Sequence, residues 1–502
     1  MQRECLKLLK NHMQSPGHHC LEVDSQIQAD IAHYLKTHGA VLLTEWITPK
    51  DWYVLYLQNK ALICIQSKLH PTRPALTDLS HDFPVTNRLQ RAIYDLTKIP
   101  TQHAQDKRPW LNHGYFPTGV LNAHARSQRS CQQSYPFNKV AGDGVHEIPV
   151  GPVHAGVIEP GHFRFSVVGE RILKLEERFG YTHKGIHQLL LNQDIQQGAK
   201  LISRVSGDST VAYAYAYALA CEDALNHSIN PQTQIMRTVL LERERLINHI
   251  GDMAAIVNDA GMPSLQSQFS ILKETLVRDN QQLTGHRYMM DAIMPCQNIP
   301  LWNSDTITTV LWTLNKIQKQ LHELKQICDH HHGLQDRLKT TGGLSIETAK
   351  QLGVIGFTAR ASGLKLDMRQ GNTHYPYSAL NITALTESNG DVAARMNLRF
   401  KECHQSIDVI HRLFDMVDQA STTNEPHATT TDFPFGVGIV ESWRGPVCVA
   451  VALEHDQIQW CHFHDPSWQN WLALEYAVIG NIVADFPLIN KSFNLSYSGQ
   501  DS

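Results

Sequence analysis

The spacing of apolar and polar positions changes character several times along the chain. Residues 26–70 alternate a helix-like stretch, IQADIAHYLKTH, with short apolar runs, AVLLTEWI, YVLYL and ALICIQ. That alternation predicts a small α/β unit. Residues 71–145 are rich in Pro, His, Asn and Gly and read as long loops containing a linker. Beyond them, IPVGPVHAGVIEPGHFRFSVVGERILKLEERFGY predicts paired strands around loops.

From about 185 to 420 the period becomes helical. The run TVAYAYAYALACEDAL predicts a buried helix, and RTVLLERERLINHIGDMAAIVND places Leu246, Ile250, Met253 and Val257 on one stripe. A second stripe, Glu242, Arg245, His249 and Asp252, fits a buried network or a solvated face, and the solvated face is the expectation. The helix NGDVAARMNLRFKECHQSIDVIHRLFDMV repeats the pattern with Asp391, Arg395, Arg399 and Glu402, and its Gly390–Asp391 start predicts an N-terminal cap. The run NEPHATTTDFPFG reads as a linker or hairpin loop, VGIVESWRGPVCVAVALEHDQIQWCHFHDPS as strands, and WQNWLALEYAVIGNIVADFPLI as a last helix ending at Pro487.

Length then suggests two or three domains, since 502 residues exceed one ordinary core. A net charge of −4 argues against a nucleic-acid partner held by bulk electrostatics. No run approaches eighteen apolar residues and the N-terminus has no signal-peptide core, which predicts a cytoplasmic chain. The ten cysteines form no C-x-x-C pair, so scattered thiols are expected rather than disulfides or zinc. His330, His331 and His332 point about 100° apart on a helix and do not converge on one ion. Neither G-x-G-x-x-G nor H-E-x-x-H occurs, so neither a dinucleotide loop nor a zinc hydrolase is indicated.

Several segments, in fixed order, carry a resemblance. They are GPVHAGVIEPGHFRF (151–165), GYTHKG (180–185), RVSGDS (204–209), LLERERLINHIGD (240–252), GFTARASG (356–363), SNGDVAARMNLRFKE (388–402), ESWRGP (441–446) and DFPLINKSFNLSYSGQD (485–501). Together they resemble the large subunit of membrane-bound, formate-hydrogenlyase or hydrogenase-4 type nickel-iron hydrogenases. They equally resemble the homologous D-type subunit of NADH-quinone oxidoreductase, complex I. A fainter match, NRLQRAIYDL and DKRPW (87–110), resembles the degenerate end of the C-type subunit of that complex. The resemblance implies a small α/β domain of that C type over 1–125, a linker over 126–147 and a large-subunit domain over 148–502. The implied class is α+β, a mainly helical bundle with flanking sheets behind a small α/β domain.

Carried over position by position, the resemblance places four nickel-binding cysteines at Ser206, Ser209, Ser496 and Gly499. Hydroxyls replace soft thiolates poorly, so no nickel is expected. The complex I tyrosine that meets the quinone falls on Gly207, whereas the accompanying histidine is kept as His154, followed by Ala155. Glu159 and His162 match a proton-carrying Glu-Gly-His motif; the alternative for Glu159 is a cap of the Pro160–Gly161 turn. His183 and Lys184 are further relay candidates, with pairing to carboxylates as the alternative. Arg444, behind Trp443 where a proline is usual, and Arg360 are cavity-lining candidates, with structural ion pairing the alternative. Ser206, Asp208 and Ser209 either cap the following helix or line a quinone or proton pocket.

The resemblance thus implies an oxidoreductase subunit on the inner face of the cell membrane. It would pack on a small subunit that holds an iron–sulfur cluster and on antiporter-like, proton-translocating membrane subunits. Any NAD would react elsewhere in the assembly. A non-catalytic scaffold in an ion-translocating complex is the alternative.

Overall fold

The computed structural model describes residues 20–58, 61–114, 116, 135–154, 158–370, 375–417 and 435–502. Residues 126–134 of the expected linker, Ala155 and residues 424–434 lie outside them. The architecture is the α+β one expected, a helical bundle with sheets on its flanks.

Four N-terminal strands, β1 (Leu21–Val23), β2 (Val41–Ile47), β3 (Asp51–Gln58) and β4 (Ala61–Lys68), form a sheet in the order β1-β4-β3-β2. Helix α1 (Gln28–Thr37) precedes β2, and α2 (Val85–Thr97) rises from the region read as loops. Its apolar face, Val85, Leu89, Ala92 and Ile93, sits at helical spacing inside a stretch whose prolines and glycines dominate the local average. The parallel register Leu21↔Ile65 brings Cys20 beside Cys64, and the two are disulfide-bonded, so the expectation of thiols alone fails there. Residues 44 apart in sequence meet only through that pairing.

Beyond the N-terminal unit comes an antiparallel sheet of β5 (Val145–Val150), β6 (His162–Val168) and β7 (Arg171–Arg178). A second meander, β8 (Phe435–Glu441), β9 (Pro446–Glu454) and β10 (Gln457–His464), lies against α3 (Thr210–Ala224), the Ala/Tyr-rich helix. Small residues permit this contact. A Cβ on Gly436 would sit 2.1 Å from the Ala220 carbonyl oxygen, and one on Gly438 2.0 Å from that of Ala216. The bundle comprises α4 (Pro231–Asp259), α5 (Pro263–Thr284), α6 (Ser304–His330) and α7 (Val392–Val417).

Two sequence expectations are corrected. The polar stripe of α4 is buried: Glu242, Arg245 and His249 are fully inaccessible and Asp252 nearly so. It faces α7, whose own polar stripe supplies the counter-charges. Arg399 donates to Asp252 (2.8 Å), and His249 Nε2 meets Glu402 (2.8 Å). Glu402 also accepts from Arg360 (2.9 Å), and Glu242 from Ser406 (2.5 Å). Periodicity locates a polar face without saying whether water or a second polar face covers it. Burial pushes the Glu402 carboxyl up, but Arg360 and the His249 hydrogen bond outweigh it and hold the group well below the usual range. The second correction concerns the last helix. It stops at Ala477 (α8, Ser467–Ala477), passes Gly480 at φ +84°, and resumes as α9 (Phe486–Phe493). Pro487 therefore sits in a first turn, where its missing N–H costs nothing, rather than at an end. A short helix, α10 (Tyr497–Asp501), follows.

The N-terminal unit and the rest of the chain share one hydrophobic core. Arg88 of α2 bridges Glu177 of β7 (3.2 Å) and Glu475 of α8 (2.8 Å). Beside it, the loop 109–112 is gripped from both sides. Asp95 accepts the backbone N–H groups of Trp110, Leu111 and Asn112 (2.7, 2.7 and 3.1 Å). Arg178 donates to the carbonyls of Pro109, Trp110 and Asn112.

Candidate functional site

A cavity of about 550 Å³ gathers residues from four distant segments: His154 and Glu159, Ser206 to Asp208, Arg444, and Ser496. Local chemistry explains each placement. The 151–161 loop closes on itself, with Gly161 N–H donating to Pro152 O (3.0 Å) and His154 Nε2 to Gly161 O (2.8 Å). Gly151 (φ +81°) is needed there, because a Cβ would strike the Gly161 carbonyl at 2.2 Å. A carbonyl only accepts, so His154 carries its proton on Nε2 and keeps Nδ1 as an acceptor. Glu159 is exposed at the rim, and its carboxylate accepts from the Ser498 N–H (3.1 Å), at the start of α10 rather than at the Pro160–Gly161 turn.

The serine turn differs from a simple helix cap. Ser209 makes no capping hydrogen bond, and the free N–H groups of Val211 and Ala212 go to Glu244 of α4 (2.7 and 3.1 Å). Burial pushes the Glu244 carboxyl up to about 8 despite those two bonds. Asp208 turns toward Arg444 instead. Arg444 Nη1 donates to one carboxylate oxygen (2.8 Å) and Nη2 to the other. Burial pushes Asp208 up, but the guanidinium and the hydrogen bonds it receives prevail, holding it at about 2. Trp443 stacks under Arg444 (3.9 Å) and donates through Nε1 to Asp208 O (2.9 Å), as does the Asn248 side chain (2.7 Å). Arg245, deep in α4, holds the carbonyls of Glu441 and Ser442 (2.6 and 3.1 Å) and so sets the turn that carries Arg444.

The four positions of the missing cysteines come together unequally. Ser206 Oγ and Ser496 Oγ are hydrogen-bonded to each other at 2.8 Å, and Ser206 also donates to Asp208 (2.7 Å). Ser496 Oγ accepts the Gly499 N–H (2.9 Å) and caps α10. Ser209 Oγ lies 3.1 Å from Arg444 Nη1. Gly499 backs onto Asp465, whose carboxylate carbon a Cβ would approach to 2.7 Å. Hard hydroxyl oxygens already bonded to one another, beside an ion pair, do not fit a nickel centre. Among the described residues no cluster of three His, Cys, Asp or Glu side chains is arranged to hold a metal.

Other candidates lie elsewhere. Arg360 is no cavity lining: it is inaccessible, bonded to Glu402 and Glu441 (2.9 and 2.6 Å). Nothing local to an apolar-flanked arginine shows which side of α7 it meets. His162 faces a different cavity and gives Nδ1 to Gly151 O (3.2 Å). His183 Nδ1 meets the Asp501 carbonyl (2.6 Å), and Lys184 donates to the Arg204 and Val205 carbonyls (2.7 and 3.0 Å), so it braces the serine turn rather than a carboxylate. Residues that sequence reasoning did not assign to a site join this one: Glu244, Asn248, Asp252, Lys491 and Asn494. Glu244 and Asn248, one helical turn apart beside the polar stripe, were the signal that could have found them.

Residues 259–435 match the family described as the respiratory-chain NADH dehydrogenase 49 Kd subunit. The chain is 28% identical over 465 residues to formate hydrogenlyase subunit 5 of Escherichia coli, covering 90% of this chain and 81% of that one. It is 27% identical to hydrogenase-4 component G of Escherichia coli over 74% of this chain and 64% of that one. The D-type subunit of the NADH-quinone oxidoreductase of Helicobacter hepaticus is 28% identical over 53% of this chain and 65% of its own length. In fold, the chain is similar to a chain of the membrane-bound sulfane sulfur reductase, an archaeal respiratory membrane complex. The TM-score is 0.65 at 20% identity, over 72% of this chain and all (100%) of that one. Among the described residues no helix is long and apolar enough to cross a membrane. The chain is homologous to formate hydrogenlyase subunit 5, hydrogenase-4 component G and the D-type subunit of NADH-quinone oxidoreductase, and it carries a domain of the respiratory 49 Kd subunit family.

Proposed function

We propose that this chain is the large subunit of a membrane-bound, hydrogenase- and complex I-like respiratory assembly, and that its cavity handles protons and a quinone without nickel. The carrying observation is the Ser206–Ser496 hydrogen bond next to the Asp208–Arg444 pair, in the place where the resemblance puts four thiolates. Homology to subunits of such assemblies supports the setting. An iron–sulfur small subunit and ion-translocating membrane subunits are the proposed partners, with this chain peripheral on the inner membrane face.

His154 is the residue whose chemistry suits the task. With Nε2 held by the Gly161 carbonyl, Nδ1 is the ring atom left to exchange a proton with a ligand carbonyl or water. Arg444 and Asp208 form a contact ion pair in the cavity wall, and the apolar ring of Phe163 lines the same cavity. The scaffold reading gains from one observation: the turn's hydroxyls and Asp208 already have partners within the chain. Photolabelling of the intact complex with a quinone analogue decides between them. Label on the peptide carrying His154 or Gly207 is expected, and its absence leaves the scaffold. Stoichiometric nickel in the purified complex, measured by elemental analysis, would refute the nickel-free reading.

A further inference from the structure

Away from the serine turn, a larger cavity of about 1390 Å³ opens where loop residues 105–114 and segment 135–138 meet β6 and β7. Its charged lining is one-sided: Lys107, Arg108, Arg164 and Arg178 against Asp106. Asp106 is already taken by Arg108 and Arg91, and Arg164 and Arg108 are tied from behind by Glu147 and Glu176. Arg178, 2% exposed, donates only to backbone carbonyls, and neither it nor Lys107 has a carboxylate within ion-pair distance among the described residues.

Two histidines in the wall register this excess of positive charge. Burial pushes His113 down to about 4, and Arg178 pushes it the same way. Burial likewise lowers His162, with Arg164 and His154 adding to the effect against its bond to the Gly151 carbonyl. His162 is 9% exposed, and its Nε2 has no partner among the described residues. The guanidinium groups are also fixed in plane, Arg164 against Phe137 (4.6 Å) and Arg178 against Tyr135 (4.5 Å). Fixed forks from separate elements around a roomy volume suit an anion with several charged oxygens at tetrahedral centres.

We propose that this cavity binds a small phosphate-bearing polyanion, independently of the chemistry around His154. The bound phosphates would meet Lys107 and Arg164, with the buried Arg178 charge behind them, and His113 Nδ1 and His162 Nε2 would become donors on protonation. Binding is therefore coupled to proton uptake.

Calorimetric titration of the full chain with pyrophosphate tests this. Saturable one-to-one binding is expected, with an enthalpy that changes with the buffer's ionisation heat because a proton is taken up. Lys107→Gln/Arg164→Gln should weaken binding at least about tenfold, whereas Lys316→Gln/Lys319→Gln, removing equal charge from a distant exposed helix, should not. Equal losses in both double variants would overturn the proposal as bulk charge attraction. Absence of saturation in the wild type would also overturn it. Citrate binding as tightly as pyrophosphate would overturn the phosphate assignment. Circular dichroism on each variant separates loss of binding from loss of fold.

Discussion

Replacing Glu244 by Gln should change how stability depends on pH more than it changes stability itself. The carboxyl is 2% exposed and bonded to the Val211 and Ala212 N–H groups at the start of α3. Burial raises it to about 8 in the folded chain, against an ordinary value of 4.5 when unfolded. Between those limits the folded state keeps a proton that the unfolded state has released. Stability from this group is therefore full below about pH 4.5 and declines as pH rises to about 8. The slope is at most ~1.4 kcal/mol per pH unit, and the total is roughly 5 kcal/mol for a fully buried acid. Gln fills the space of the protonated acid but offers one acceptor oxygen where both Glu244 oxygens accept an N–H, so at about pH 5 the variant should lie about 1 to 3 kcal/mol below wild type. Urea unfolding of both proteins from about pH 5 to about pH 8.5 gives the difference directly. That difference should shift in favour of the Glu244→Gln variant as pH rises, then level off. Parallel curves across the range would refute the assignment of a buried protonated acid at this helix start.

Arg360→Met should cost about 3 to 5 kcal/mol, seen as a lower thermal midpoint, because Glu402 and Glu441 are left charged in the core. Ser206→Ala should cost about 1 kcal/mol and Ser496→Ala somewhat more, since the latter also uncaps α10. The double variant should cost less than the sum of the two, by denaturant titration, because one shared bond is lost only once. Asp95→Asn should destabilise by about 3 kcal/mol, with hydrogen exchange accelerating first at residues 110–112, since three N–H groups lose their charged acceptor.

The fold was legible where one periodicity dominated. The Ala/Tyr run, the long α4 and α7 helices and the strand pairs around 162–178 stand where the pattern puts them. Failures have a common physical origin in contacts between distant segments. The α4 stripe reads as a surface until α7 covers it with matching charge, and Arg360 reads as a site residue until Glu441 reaches it. The serine turn could be located but not its bonding. Hydroxyls and an aspartate after a turn predict a cap, yet Glu244 from another helix takes the N–H groups and frees Asp208 for Arg444. Pro487 is equally ambiguous locally, because proline both ends and begins helices.

The gripped loop at 109–112 has a consequence for how the molecule can be divided. Asp95 and Arg178 form no ion pair, yet they bind opposite poles of the Pro109–Trp110 and Trp110–Leu111 peptide groups, so those amides transmit their attraction. If the chain is cut between the two parts, Asp95 keeps the N–H groups of 110–112 on its own side, whereas Arg178 loses all three of its carbonyl acceptors. A fragment beginning near 148 would expose Arg178 and the Glu177–Glu475 carboxylates that Arg88 neutralises. Covalent continuity is thus the lesser link: the N-terminal unit behaves as a counter-ion of the rest of the chain, and the two should melt in a single transition.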